Sequence, residues 1–310
     1  MISEIVPDAV TGCHMLLASS MEAQLPEWAG AVATIEEFFG DEDEIDLDEL
    51  PDFSIDPETK CLHVINTSDH PRVVTVSLQG CQCLSMDESS VLEQGIFMKP
   101  GHPKRFPVTT FIVLTPGQTV AEVCVIKPKK EIRDVKVDSH IGDAFSHQSI
   151  DSFYDITTFP LSGASGTFLC TQASGGGFTH FQHPSTFHAV DFRCPVGTPV
   201  VAVADGVICS IKADCTVTGV HVSNLFDWNS VVLKTDSGHV VEYVHIHHEG
   251  VAVSVGERVV RGQQLCLSGE AGFCPEPHLH FEVHLDESPQ SPSVPVKFSG
   301  NFFSPGSSYP

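Results

Sequence analysis

The sequence predicts a mainly β protein built from two successive β modules. Short stretches rich in branched and aromatic residues recur along the chain, several of them alternate apolar and polar positions, and Gly, Pro, Asp and Ser separate them. Apolar residues do not recur at helical spacing over any long stretch. Hydrophobic residues make up 41% and charged residues 18% of the 310 residues, so the chain can bury a core and is not disordered as a whole.

Residues 1–58 are predicted to be an acidic, largely disordered leader. The first sixty residues hold sixteen acidic side chains and a single basic one, Lys60, and the run 41–53 is too charged to bury. The whole chain has 40 acidic and 16 basic residues, a net charge of −24. That charge would repel a nucleic-acid backbone or an anionic membrane, so neither is expected as the main partner.

Residues 59–130 are predicted to form a small, sandwich-like antiparallel β module of unknown role, and no residue cluster in it suggests chemistry. The strand-like stretches are CLHVINTS, RVVTVSLQ, TTFIVLTPG and QTVAEVCVI. Residues 131–160 are expected to be a linker and residues 161–286 a second β-rich domain. Residues 287–310 are rich in Pro and Ser, so an extended tail is predicted there.

The termini and the cysteines bear on the compartment. The first twenty residues lack a basic region ahead of an apolar run, and no 18 apolar residues run together, so neither a signal peptide nor a transmembrane helix is predicted. Eleven cysteines are an odd number without a CxxC pair, which favours reduced thiols. A cytoplasmic location is therefore the default expectation, and the oligomeric state stays open.

Histidines concentrate in the second module, where eleven of the 17 lie between His180 and His284. The strongest local pattern is PHLHFEVH at 277–284. On a strand, alternate residues share a face, so the histidines and Glu282 of this segment should project together while Leu279 and its alternates face a core.

Two further segments supply histidines and a carboxylate. One is YVHIHH at 243–248, and the other runs from 179 to 192 and includes THFQH and FHAVDF. Each segment alone is ambiguous. Together they provide the neutral imidazoles and the carboxylate that zinc prefers in a hydrolytic site that keeps room for a water.

These segments resemble a known family. AVDFRCPVGTPVVAVADGVI, NSVVLKTDSGHVVEYVHI and GERVVRGQQLCLSGEAGFCPEPHLHFEV are similar to consecutive blocks of the lysostaphin-type (LytM-like) zinc metalloendopeptidases, which are peptidoglycan hydrolases. The resemblance covers residues 177–284. It implies the antiparallel β-sheet fold called the duplicated hybrid motif for the second domain.

The resemblance also implies roles for individual residues. Asp191 in AVDF and His280, the second histidine of HLH, match zinc ligands of the family. His278 and His245 match the two catalytic histidines beside the metal. His247, which shares a face with His245 on a strand, is a weaker alternative for the role of His245.

The first zinc ligand should be a histidine upstream of Asp191. Many members of the family place it four residues before the aspartate, but Phe187 stands there. His180 lies in a context that resembles members with a longer spacing and is favoured. His183 and His188 stay open as alternatives.

The implied function is that of a zinc metalloendopeptidase with one Zn²⁺ per chain, acting on a peptide or peptidoglycan-like substrate or on Gly-rich peptides. Three protein ligands would leave one position for a water whose pKa falls towards about 7. Either His245 or His278 could accept the proton of that water.

Two other functions compete with this one. A non-catalytic or regulatory binding module could keep the fold, although such relatives replace the ligand or catalytic histidines, and Asp191, His245, His278 and His280 are all present. A cupin-type metal oxygenase is suggested by the run from His245 to Glu249. Its second sequence block is not found, so this function is a remote alternative.

Overall fold

The computed structural model describes residues 12–17, 26–40, 46–99, 101–145, 152–163, 167–176, 178–288 and 291–310. Within these ranges the first half of the chain contributes one short helix, α1 (Ile35–Phe39), and the strands β1 (Cys13–Leu17), β2 (Val32–Thr34), β3 (Phe53–Ile55), β4 (Cys61–Asn66), β5 (Arg72–Gln79), β6 (Cys81–Leu84), β7 (Gly95–Met98), β8 (Arg105–Thr115), β9 (Thr119–Pro128) and β10 (Lys136–Asp143).

The second half contributes the strands β11 (Tyr154–Ile156), β12 (Phe168–Gln172), β13 (Val190–Arg193), β14 (Pro199–Val201), β15 (Gly206–Lys212), β16 (Ser230–Thr235), β17 (Val240–Val244), β18 (Arg258–Val259), β19 (Gln264–Leu267), β20 (His278–His284), β21 (Val296–Phe298), β22 (Asn301–Phe302) and β23 (Ser308–Tyr309). Single 3₁₀ turns lie at Ile132–Asp134, His180–Gln182 and Val222–Asn224. The predicted mainly β architecture is confirmed. No helix of the described residues is long and apolar enough to cross a bilayer.

The N-terminal module is a sandwich of two five-stranded sheets. One sheet has the order β1-β8-β5-β10, with β7 also paired to β8, and the other has the order β2-β9-β4-β3, with β6 also paired to β9. The alternating residues that the sequence places on one face of each strand meet between the sheets. Side chains from both sheets form this core, among them Leu62, Val64, Val74, Val76, Phe111 and Val123.

The helix α1 covers part of the outer face of the second sheet. It begins at Thr34, whose hydroxyl accepts a hydrogen bond from the Glu37 N–H at 3.2 Å while the Glu37 carboxylate accepts from the Thr34 N–H at 2.8 Å. Ile35 of the helix packs against Ile65 and Val120 on this outer face. Both faces of the sheet are therefore partly shielded from solvent.

Two boundaries predicted in the first half differ from the structure. Residues 1–58 are not a largely disordered leader in their described parts, because β1 pairs in parallel with β8 and β3 pairs with β4. Residues 131–160 are not simply a linker, because β10 runs antiparallel along the whole of β5. These segments are highly charged overall, but they contain short apolar stretches that become buried when they pair with a strand distant in the sequence. The rest of the predicted leader lies outside the described residues.

The second module is built on an eight-stranded sheet with the order β18-β15-β16-β17-β20-β13-β12-β23. Its core forms on one face of the sheet and includes Phe192, Tyr243, Leu279 and Phe281, all fully buried. A two-stranded ribbon of β14 and β19 and a three-stranded sheet of β11, β21 and β22 complete the module. All strand pairs of the large sheet are antiparallel, as predicted for this domain.

The segment predicted to be an extended Pro/Ser-rich tail packs against the second module in its described part. β23 pairs with β12, and β21 pairs in parallel with β11. Phe303, which is 8% exposed, packs into the main core, where its ring lies 5.0 Å from that of Phe192. The prolines are compatible with this arrangement because the strands between them are only two or three residues long.

The two modules contact each other through a shared apolar cluster. It contains Phe97, Val108 and Ile112 of the first module and Val220 and Phe273 of the second. Phe178 and Phe181, on either side of His180, pack against the same cluster.

Gly219 allows the backbones of the two modules to approach closely. It has φ +101°, and a Cβ there would lie 1.9 Å from the carbonyl oxygen of Ile96. The Met98 N–H donates to the Thr218 carbonyl at 2.8 Å beside it. A residue with a side chain at 219 would therefore separate the two backbones.

We predict that Phe303→Ala lowers the free energy of unfolding by about 3–5 kcal/mol, because it removes an aromatic ring from the core. The matched control is Phe302→Ala, which truncates a neighbouring ring that is 55% exposed. It should cost less than about 1 kcal/mol. Urea denaturation measures both values, and equal effects of the two substitutions would show that the C-terminal segment is not part of the core.

Candidate active site

The strand β20 forms the base of the site. Its register pairs His280 with Asp191 of β13 on one side and with Val244 of β17 on the other. Leu279, Phe281 and Val283 face the core, so their alternates project from the opposite face of the sheet, as the sequence predicts. Because β20 lies in the middle of the sheet, these histidines are held on a rigid element.

The structure brings together His180, Asp191 and His280. The Asp191 Oδ1 atom lies 3.1 Å from Nε2 of His180 and 2.9 Å from Nδ1 of His280. All three residues are at most 9% exposed. Each offers one ligand atom, and these atoms lie within 4.8 Å of one another. The three residues that we predicted to be metal ligands thus share one buried position.

Gln172 arranges this cluster, a role that its place in the sequence did not predict. It is the cross-strand partner of Asp191, and its Nε2 donates to the Asp191 Oδ2 at 2.7 Å. Its Oε1 accepts hydrogen bonds from the N–H groups of Phe178 at 3.1 Å and Thr179 at 2.9 Å. One amide therefore orients the carboxylate and also holds the turn that carries His180. A glutamine at a strand end gives no local signal for this role.

The tautomer of His180 leaves one nitrogen without a partner. Its Nδ1 lies 3.3 Å from the Ala173 carbonyl, which can only accept, so Nδ1 carries the proton. The lone pair of Nε2 then faces the Asp191 carboxylate, and this buried nitrogen has no hydrogen-bond partner among the described residues. Two lone-pair atoms 3.1 Å apart repel each other unless a positive charge lies near them, so the donor set fits a bound cation.

His280 lies between two carboxylates. Its Nδ1 faces Asp191, and its Nε2 lies 3.2 Å from Oε2 of Glu282. Burial alone would lower the pKa of His280, but the hydrogen bonds to Asp191 and Glu282 outweigh it and raise the pKa to about 10. Burial opposes the charge of Asp191 as well, yet His180 and His278 in their protonated forms, together with the hydrogen bonds from His180 and His280, hold its pKa well below the ordinary value. The cluster therefore concentrates negative charge that attracts protons or a metal ion.

Glu282 is buried and connects two histidines. Its Oε2 is near His280, and its Oε1 lies 3.2 Å from Nε2 of His284. Burial opposes its charge, but these hydrogen bonds lower its pKa to about 2. The alternation of side chains along β20 predicts that Glu282 lies beside His280. The contact between Glu282 and His284, two residues further along the strand, depends on the side-chain conformations.

His245 and His278 lie next to the cluster. Their ring centroids are 4.6 Å apart, and the ring of His245 is 6.0 Å from that of His280. His278 Nε2 lies 3.7 Å from the Asp191 Oδ1. All the residues that we predicted to be catalytic or metal-binding therefore converge on one location.

Backbone carbonyls fix the orientation of both imidazoles. Nδ1 of His245 donates to the Ala271 carbonyl at 2.6 Å, and Nδ1 of His278 donates to the Glu276 carbonyl at 2.7 Å. In each case Nε2 is left for chemistry. His245 follows the last residue of β17 with φ +60°, a left-handed conformation that few residues other than glycine adopt. This turn directs its side chain out of the line of the strand.

The alternative histidines lie elsewhere. His183 is exposed, and its Nδ1 bonds to Ser185 at 2.7 Å. His188 is buried, with Nδ1 3.1 Å from the Ser174 hydroxyl, and neither histidine belongs to the cluster around Asp191. His247 lines a cleft together with Thr218 and Glu270, and its Nδ1 accepts a hydrogen bond from the Glu249 N–H at 3.2 Å. His188 lies in the turn before β13, which begins at Val190, so strand alternation does not set its position relative to Asp191.

Comparisons with known proteins identify relatives of the second module. Residues 185–292 match peptidase family M23. The peptidoglycan DD-endopeptidase ShyB of Vibrio cholerae is 30% identical over 169 residues, which are 51% of this chain and 37% of that protein. The glycyl-glycine endopeptidase ALE-1 of Staphylococcus capitis is 32% identical over 125 residues, which are 39% of this chain and 32% of that protein.

Among solved structures, the catalytic domain of lysostaphin from Staphylococcus simulans has 25% sequence identity and a TM-score of 0.30. That similarity covers 41% of this chain and 86% of the lysostaphin domain. The matched part of this chain spans less than two fifths of the length of either curated relative. His180 lies just before the first residue of the family match, whereas Asp191, His245, His278 and His280 lie within it. Residues 185–292 of this chain are therefore a domain of peptidase family M23.

Proposed function

We propose that this chain is a zinc-dependent endopeptidase that hydrolyses peptide bonds in the cross-links of peptidoglycan or in Gly-rich peptides. The observation that carries the proposal is the buried cluster of His180, Asp191 and His280 with two further imidazoles, those of His245 and His278, beside it. The M23 domain and the endopeptidase names of ShyB and ALE-1 support it.

One zinc ion would be held by Nε2 of His180, a carboxylate oxygen of Asp191 and Nδ1 of His280. Two imidazoles and one carboxylate are a donor set that zinc prefers in catalytic sites. The partnerless Nε2 of His180 supports this assignment. When bound, zinc supplies Lewis acidity, which polarises the scissile carbonyl and acidifies the attacking water.

The protein groups around the metal position handle protons. Burial, with the neighbouring His278 and His280, lowers the pKa of His245 well below its ordinary value, so its imidazole is neutral near pH 7. Since Nδ1 of His245 donates to the Ala271 carbonyl, Nε2 is the atom that accepts the proton of the attacking water. His278, whose Nε2 lies 3.7 Å from Asp191, can hold a proton and donate it to the developing oxyanion or to the leaving amine.

Glu282 acts on the metal site through His280. By accepting from Nε2–H of His280, it selects the tautomer in which Nδ1 is the ligand atom. The hydrogen bond to His284 and the bond from His284 Nδ1 to the Ser291 carbonyl at 3.0 Å hold Glu282 in turn. We assign Glu282 as a positioning residue for the metal ligand His280.

His180→Ala and His280→Ala should each reduce the zinc content to a small fraction of the wild-type content at this site and abolish hydrolysis, because each removes one of three ligands. His183→Ala is the matched control, since His183 is exposed and outside the cluster. Metal analysis and chromatography of digests of cross-linked muropeptides and of a polyglycine peptide measure the two effects. If His183→Ala or His188→Ala lost the zinc while His180→Ala kept it, the assignment of the first ligand would be wrong.

His245→Ala and His278→Ala should keep zinc but lower kcat by about 10²- to 10⁴-fold, because they remove proton transfer and leave the ligands intact. Steady-state kinetics with the better of the two substrates, combined with metal analysis, measures this. A wild-type protein that carries zinc but cleaves neither substrate would instead support a non-catalytic binding module.

Replacement of Glu282 should weaken zinc binding by about 10- to 100-fold, because His280 loses the group that orients it. Glu282→Gln keeps an acceptor oxygen without the charge, whereas Glu282→Leu removes both. The zinc affinity should therefore decrease in the order wild type, Glu282→Gln, Glu282→Leu, as measured by competition with a chelating dye. Equal affinities for all three proteins would rule out a positioning role.

A further inference from the structure

A second cluster of metal-binding side chains lies in the N-terminal module, on the outer face of the sheet that contains β4 and β9. Cys61 and His63 alternate on β4, and Glu122 of β9 is the cross-strand partner of His63. Leu62 and Val64 between and beyond them face the sandwich core, so Cys61 and His63 face outwards. The three ligand atoms lie within 4.8 Å of one another.

This outer face is covered, so the cluster is not an exposed surface. Cys61 is 3% exposed and His63 is 5% exposed. The ring of Phe38 from α1 lies 4.7 Å from the ring of His63. On the other side, the thioether sulfur of Met86 lies 3.9 Å from the Cys61 Sγ. Cys61 and His63 are thus enclosed between the sheet, the helix and the segment that follows β6.

His63 lacks the hydrogen bonds that a buried imidazole needs. Its Nδ1 is fully buried without a partner among the described residues. Its Nε2 lies 3.9 Å from the Glu122 Oε1, which is too long for a hydrogen bond. Buried polar side-chain atoms are nearly always paired, so an unpaired histidine in contact with a thiol and a carboxylate indicates a missing partner.

Glu122 is oriented towards this position by the backbone. Its Oε2 accepts a hydrogen bond from the Ala31 N–H at 3.1 Å, while Oε1 faces His63. The side chain is about one third exposed, so an ion can reach the cluster from solvent on this side. Carboxylate metal ligands typically accept a hydrogen bond from the protein at one oxygen and offer the other oxygen to the metal.

We propose that Cys61, His63 and Glu122 bind a second Zn²⁺, with the Met86 thioether beside it, as a structural site of the N-terminal module. Thiolate, imidazole and carboxylate are the ligands that zinc takes in proteins, and the mixed donor set favours zinc over calcium or magnesium, which prefer oxygen alone. Binding replaces the Cys61 S–H bond by a sulfur–zinc bond and releases one proton.

The ion would join four segments that the fold brings together. β4 and β9 provide the ligands, the Ala31 N–H holds Glu122, and Met86 belongs to the segment after β6. Because the ion binds the folded arrangement and not the unfolded chain, it should stabilise the sandwich. This site is separate from the cluster around Asp191 and does not depend on the proposed peptidase activity.

Cobalt substitution tests the site in the full-length chain. Co²⁺ bound to a thiolate gives an intense near-ultraviolet charge-transfer band, whereas the cluster around Asp191 offers only nitrogen and oxygen donors. His280→Ala, in which the N-terminal module is intact, should bind one equivalent of Co²⁺ and show this band. Absence of the band in that protein overturns the proposal, and this result does not depend on how a variant of Cys61 folds.

Substitution of the thiol identifies the ligand. Cys61→Ser should lose the band and lower the zinc content from two equivalents to one. The matched control Cys209→Ser should change neither, since Cys209 lies on β15 of the other module, with its Sγ 3.5 Å from the Val232 carbonyl. If Cys61→Ser kept both the band and the second equivalent, the proposal would be wrong. A wild-type protein with one zinc that persists in His280→Ala but is lost in Cys61→Ser would support this site and contradict the proposed peptidase centre.

Discussion

The Asp191 carboxylate is buried on one face of the large β-sheet, and the side chains around it in the second module stabilise its charge. A buried carboxylate is stable only with strong hydrogen bonds or positive neighbours, and Asp191 has both, from Gln172 on one side and from imidazoles on the other. Gln172, Asp191 and His280 form a cross-strand row over β12, β13 and β20. The strand register therefore sets the distances between these three residues. A shift of one strand along its neighbour would move them apart.

The contact between the two modules bears on this site. Phe178 and Phe181, which flank His180, pack against the apolar cluster that includes Phe97 of the N-terminal module. Gln172 holds the same turn from the side of the sheet. His180 thus lies in a short turn that is supported from two directions, which compensates for the lack of a strand at this position. Within the described residues, the N-terminal module contributes packing to the site and no ligand.

The two histidine-containing clusters illustrate how a sheet face can concentrate chemistry. In both, a histidine on one strand lies opposite a carboxylate on the neighbouring strand, His280 with Asp191 in one case and His63 with Glu122 in the other. They differ in their surroundings: the imidazoles of His245 and His278 lie beside the first, whereas the second is covered by Phe38 and Met86. The first suits catalysis, and the second suits a structural ion.

Local spacing in the sequence determined the face of β20 that carries His278 and His280, because the side-chain period of a strand is two. Spacing alone left His180, His183 and His188 open as the first ligand. Only the tertiary structure decided that His180 reaches Asp191, since this depends on the Gln172 contact and on packing between modules. It also decided that β1 and Phe303 are ordered, because isolated short segments form strands or join a core only when distant partners bury them.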